Sequence, residues 1–160
     1  MKNKFGILFA AMALVAVVLA CSASTANMSS LKTSSDKDGK NETGSFKPGD
    51  ILYANAIISN SLSKVTVKFT LVADDAPGMK KGEVAQGSEV KVDLPSSGTA
   101  QYHLTVPPSF QGGKFNVVAD MINENGETKD TKSAAVSIAT GSGGAKPPAD
   151  KPKEDKDDDN

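Results

Sequence analysis

Tryptophan and arginine are absent from this 160-residue chain, and cysteine and histidine occur once each. Each absence closes a class of chemistry. One cysteine allows no internal disulfide and no cysteine-based zinc site. One histidine, His103, means that any Ser-His-Asp triad would have to pass through it, and a two-histidine metal site is excluded. Without arginine, all 18 basic side chains are lysine, set against 19 acidic ones for a formal net charge of −1. Nucleic-acid binders need a basic face and usually guanidinium forks, so no nucleic-acid partner is expected. There is no glycine-rich phosphate loop and no Gly-x-Ser-x-Gly elbow. Gly141-Ser142-Gly143-Gly144 has linker composition, with no helix after it to bind an anion. The length suits one modest domain plus tails.

The beginning of the chain is informative. Met1-Lys2-Asn3-Lys4 is positive, and an unbroken apolar or small-residue run follows from Phe5 to Ala20. As a helix this run spans about 24 Å, short of the roughly 30 Å hydrocarbon core, so a secretory signal fits better than a permanent transmembrane helix. Val18-Leu19-Ala20-Cys21 then places an aliphatic residue three before the cysteine and a small one just before it.

This tetrapeptide resembles the lipobox of bacterial lipoproteins. Val18 stands where leucine is commonest, and Leu19 is bulky for its place. The resemblance implies cleavage after Ala20, diacylglyceryl transfer to the Cys21 sulfur, and acylation of the new N-terminus with a palmitate-type chain. Residues 1–20 would be the lipoprotein signal peptide. Three chains, at roughly 0.8 kcal/mol per buried CH₂, exceed the two signals that stable anchoring takes. Ser22 after the cysteine implies the outer membrane if the source is Gram-negative; otherwise the location is the bacterial cell envelope. An ordinary secretory signal, with Cys21 merely near the cut, is the alternative.

Residues 21–47 comprise the cysteine and a stretch rich in Ser, Thr, Asn, Asp, Gly and Lys. It has too little apolar surface to offset its ordering entropy, so a flexible linker is expected, reaching roughly 25–30 Å. Asn41-Glu42-Thr43 matches a glycosylation sequon by chance in such a setting.

From 48 to 140 the pattern becomes one of short alternating apolar runs. Val65, Val67, Phe69 and Leu71 alternate with Thr66, Lys68 and Thr70, which predicts a strand with one buried face. Similar runs start at Ile51, Val90, Tyr102, Phe115 and Ala134, and a weaker one at Lys81 to Ala85 is expected to be a short edge strand. Turn residues separate them, among them Pro107-Pro108, Gly112-Gly113 and Asn123-Glu124-Asn125-Gly126. About seven short strands without a useful helical period predict an all-β sandwich.

The succession Phe46-Lys47-Pro48-Gly49-Asp50-Ile51-Leu52-Tyr53-Ala54, then Val65 to Leu71, Tyr102 to Pro107, and Gly112-Gly113-Lys114-Phe115-Asn116-Val117, is similar to the layout of immunoglobulin-like domains in secreted bacterial proteins. It implies a fold and leaves the function open. Phe115 takes the place where such domains often carry a tyrosine, so a tyrosine corner is not expected.

The candidate chemical groups are sparse. His103 alternates with Tyr102 and Leu104 and should point outward. Asp74-Asp75 and Asp120 with Glu124 are the carboxylate pairs that could do acid–base work or hold Ca²⁺. An EF-hand reading that sets Gly126 at position six puts Met121 and Lys132 where carboxylates are required, so Asn123 to Gly126 is better explained as a hairpin turn. Residues 141–160, glycine then proline and charge, predict a disordered tail. No catalytic residue, metal ligand or cofactor is expected. The layout points to a non-enzymatic binding or accessory module with an envelope protein or glycan partner. The loops Asp74–Lys81 and Pro107–Gly113 are the expected contacts, with Phe110 as an exposed aromatic. A metal or small-ligand carrier, or a hydrolase using carboxylates alone, would instead cluster Asp74, Asp75, Asp120 and Asp130; a purely structural spacer needs no site.

Overall fold

A computed structural model describes residues 26–141. The expected signal segment with Ala20, the lipidation candidate Cys21, and the chain beyond Gly141 lie outside the described residues. Eight strands follow one another: β1 (Asn27–Ser34), β2 (Ser45–Phe46), β3 (Ile51–Ser59), β4 (Val65–Asp75), β5 (Val90–Leu94), β6 (Gly98–Thr105), β7 (Gly113–Asn123) and β8 (Thr128–Ile138). They form a three-stranded sheet in the order β1-β3-β6 and a five-stranded sheet in the order β2-β8-β7-β4-β5. The fold is an all-β sandwich. Its pairings are antiparallel apart from the short β2, which runs parallel to β8.

Period-two patterning builds the core. Leu52, Ala54, Ala56 and Ile58 of β3 face Val65, Val67, Phe69 and Leu71 of β4 across the sandwich, joined by Tyr102, Phe115, Val117 and Met121. Each of the larger side chains, fully buried, contributes about 1.5–3 kcal/mol of transfer free energy against the cost of ordering the chain. A slip of one residue would turn this set to solvent, so burial fixes the register. On the outer face of the larger sheet the partners are polar. Lys68 lies opposite Asp120 and pairs with it at 3.1 Å, and Asp120 accepts the Thr131 hydroxyl at 2.7 Å.

Three expectations need correction. The linker 21–47 is not a tether along its length, because β1 and β2 fall within it and the sandwich begins at Asn27 rather than near residue 48. Composition misleads here, since a few side chains in the segment are buried: Met28 is 1% exposed and Phe46 is 2% exposed, and Thr33 and Ser34 are buried with them. The rest of β1 is held by its ladder with β3. Between them, Asp36 accepts the Asn41 and Lys40 amides at 2.6 and 3.1 Å, which closes the connecting loop and holds the carboxyl below its usual range. The segment Lys81–Ala85 is not a strand; it forms turns with one bridge from Val84 to Val72. The run at Val90 is a strand, but at the sheet edge, so Val90 remains 38% exposed. Charged Lys91 and Asp93 are exposed along that strand, with Glu89 just before it, a common protection against edge-to-edge pairing.

Candidate functional site

The two loops expected to make contacts meet at one end of the sandwich. The first leaves β4 through a turn in which the Met79 amide donates to the Ala76 carbonyl at 3.2 Å. Pro77 sets the first corner of this turn and Gly78, at φ 76°, the second, the chemistry of a type II turn. Beyond it the chain is laced back onto β4 by bonds from Gly82 to the Ala73 carbonyl and from Ala85 to the Leu71 carbonyl, both 2.8 Å. Lys81 pairs with Asp74 at 2.7 Å, which holds the Asp74 carboxyl below its usual range and raises the Lys81 ammonium.

The second loop connects β6 to β7. The Phe110 amide donates to the Pro107 carbonyl at 3.0 Å, and the Phe110 carbonyl accepts the Gly141 amide at 2.8 Å. The Thr140 hydroxyl donates to the Gln111 carbonyl at 3.1 Å. The end of the described chain thus clamps this loop. Gly113 lets it approach its neighbour: φ is 125°, and a Cβ there would lie 2.7 Å from the Ala76 Cα. A larger residue would meet backbone and push the two loops apart.

Between the loops lies an open groove of about 410 Å³, with Pro77, Met79, Pro107, Phe110 and Phe115 in its walls. Phe110 differs from expectation in being half-buried rather than freely exposed. Its ring tilts against Phe115 with centroids 5.4 Å apart, so one face is used to build the wall. None of the residues lining the groove titrates, so the groove has no acid or base for proton transfer. What it presents is apolar contact area with a polar rim from Ser109 and Gln111. Met79 and Phe115 were not singled out as groove residues from sequence. Met79 lies within a loop named for its acids, and alternation marked Phe115 only as core.

The remaining candidates are dispersed. His103 is exposed on β6, opposite Tyr53, with ring centroids 6.3 Å apart. Asp74 is held by Lys81 and Asp120 by Lys68 and Thr131, while Asp130 accepts the Met28 amide at 2.8 Å. Among the described residues no three His, Cys, Asp or Glu side chains come together as a metal-binding group. Asn123 to Gly126 forms the hairpin turn between β7 and β8, with Gly126 at φ 79°. The Asn123 side-chain oxygen accepts the Asn125 and Glu127 amides at 3.0 and 2.9 Å, so it is consumed by the turn itself.

No family model matches the chain, and no curated protein matches it. Solved structures similar to it include a family 76 glycoside hydrolase from Bacteroides thetaiotaomicron, at 15% identity and a TM-score of 0.42, covering 69% of this chain and 20% of that one. A β-glucosidase from Listeria innocua gives 18% identity and a TM-score of 0.45, covering 70% of this chain and 16% of that one. A Niemann-Pick type C2 protein from the Japanese carpenter ant gives 19% identity and a TM-score of 0.43, covering 71% of this chain and 92% of that one. This chain therefore spans about a fifth or less of the two hydrolases.

Proposed function

We propose that this protein is a lipid-anchored lipoprotein of the bacterial cell envelope, held by acyl chains on Cys21, whose immunoglobulin-like sandwich is a non-enzymatic binding or accessory module. Its location is the outer membrane if the source is Gram-negative. The strand order supports the immunoglobulin-like reading: β7 lies between β4 and β8 in one sheet, and β3 pairs with β6 in the other. The anchor rests on the signal-like run and on Val18-Leu19-Ala20-Cys21. The binding role rests above all on one observation. Two separate loops, each pinned by backbone hydrogen bonds, bring two prolines, a methionine and a phenylalanine into a single exposed groove. Aromatic and methionine side chains at a surface are the usual material of a protein contact, and an envelope protein suits this groove better than a glycan because its walls are apolar.

The test is photocrosslinking in the native host from a reactive amino acid placed at Met79, with Glu89 on the distant β5 edge as control. One envelope protein joined from Met79 in near-stoichiometric yield, and lost in Pro77→Glu and Phe110→Ala variants that keep the wild-type melting temperature, is the expected result. Equal, diffuse products from both positions would remove the groove from the account.

A further inference from the structure

The opposite end of the sandwich carries a different feature. The β3–β4 turn presents Leu62, which is 98% exposed. This turn is held firmly. The Ser61 amide donates to the Ser97 hydroxyl at 2.8 Å, the Ser97 amide donates to the Ser61 carbonyl at 3.0 Å, and the Ser61 hydroxyl donates to the Ser63 carbonyl at 2.8 Å. Asn60, at φ 60°, turns the chain sharply just before. These bonds hold the backbone on either side of Leu62, whose side chain stands in solvent. Single exposed apolar residues are common and by themselves mean little. Here a second observation coincides with it.

The described chain begins at this same end. Asn27 lies in register with Ser59, and Ala26 borders the same surface hollow as Ser61 and Ser63. From Cys21 to Ala26 there are five residue steps, which even fully extended reach only about 18 Å. With Cys21 in the bilayer, as the proposed function has it, this end cannot stand far from the lipid. The geometry points to a docked arrangement: the Leu62 end of the sandwich rests on the bilayer surface, with the leucine inserted at the headgroup level. The inference rests on the lipoprotein reading and adds an orientation to it. Charge attraction is not the cause, since Lys64 pairs with Asp93 at 2.8 Å and Lys129 with Glu127 at 2.6 Å, leaving no unpaired basic patch among them. Contact should therefore survive high salt and need no anionic lipid. An eleven-residue strand such as β7 is about 33 Å long, so the Phe110 groove would face away from the membrane.

Because the chain has no tryptophan, Leu62→Trp introduces a background-free probe. The mature full chain carrying this change is purified from host membranes and reconstituted into phosphatidylcholine vesicles whose acyl chains are brominated. Pro77→Trp, at the groove end, is the control for a tryptophan seeking the interface on its own. Mass analysis of the N-terminus and vesicle flotation measure the anchor separately. The expected result is an acylated, floating protein in which the Leu62→Trp emission is blue-shifted and loses most of its intensity to bromine, unchanged in high salt, while the Pro77→Trp emission is retained. Flotation with acyl chains intact but no difference in quenching between the two positions overturns the docked orientation and leaves the anchor standing. A chain that is neither acylated nor carried up by vesicles overturns the anchor, and the docked orientation with it.

Discussion

Met28→Ala is expected to lower the free energy of unfolding by about 2–5 kcal/mol, the range for truncating a large buried apolar side chain. A loss of that size is a large fraction of the 5–15 kcal/mol that typically separates a folded domain from its unfolded chain. Met28 lies in β1, opposite Ile58, where it is 1% exposed. Its amide also donates to Asp130 on β8, so this one position ties the smaller sheet to the larger across the open side of the sandwich. The backbone bond survives the substitution; the packing beneath it does not. Urea unfolding of the soluble Cys21→Ser form measures the change as a lower midpoint at similar slope. A midpoint equal to the parent's would return residues 27–34 to the role of tether and take β1 out of the fold.

The second large effect lies at alkaline pH. Tyr102 is 1% exposed, stacked on Phe69 with ring centroids 5.4 Å apart, and its hydroxyl has no hydrogen-bond partner among the described residues. Burial disfavours the phenolate, pushing the hydroxyl up to about 12 from an ordinary 10.0. The folded-state value is the higher one, so the contribution of this group is complete below pH 10 and is lost as pH rises through 12. At about 1.4 kcal/mol per unit, the decline across that window is about 3 kcal/mol. Tyr102→Phe removes both the titration and the unmet hydroxyl. It is expected to raise stability at neutral pH by about 1 kcal/mol, or several degrees in melting temperature, and to flatten the decline above pH 10. Thermal melts of both proteins from pH 7 to 12 provide the check, and a Tyr102→Phe protein less stable than the parent at neutral pH would show that the hydroxyl has a partner in the native state.

How far the sequence could be read depended on how each element is stabilised. Strands buried on one face are legible because alternation is the direct imprint of a core: β4 and β7 sit where Val65 to Leu71 and Phe115 to Met121 place them. The outward setting of His103 followed from the same alternation, and the turn at Asn123 to Gly126 from the tolerance of Asn and Gly for positive φ. β1 escaped because it is edge structure built mostly from Ser, Thr, Asn and Lys, with Met28 its one fully buried apolar side chain and the polar Thr33 and Ser34 buried beside it. Its stability comes from a ladder with β3, whose partners lie 19 to 32 residues away in sequence, and composition carries no trace of a long-range hydrogen bond. The same limit applied to the groove. Both loops could be named from their prolines and glycines, but their mutual approach depends on Gly113 touching Ala76, a contact between distant segments. Phe110 was therefore legible as an aromatic in a loop and not as a ring leaning on Phe115. Leu62 gave a faint local signal, an apolar residue between serines in a turn cluster, whose meaning depends on which end of the sandwich the chain enters.

The proposed anchor on Cys21 underlies both the proposed envelope location and the proposed orientation of the domain, and mass spectrometry of the N-terminal peptide from host membrane fractions tests it most directly. The account predicts a mature chain that begins at Cys21 and carries acyl chains in the wild type, with Cys21→Ser released from the membrane and unacylated. Recovery of the wild-type protein in the soluble fraction with a free thiol would contradict it, and would leave an exported β-sandwich whose partner lies away from the membrane.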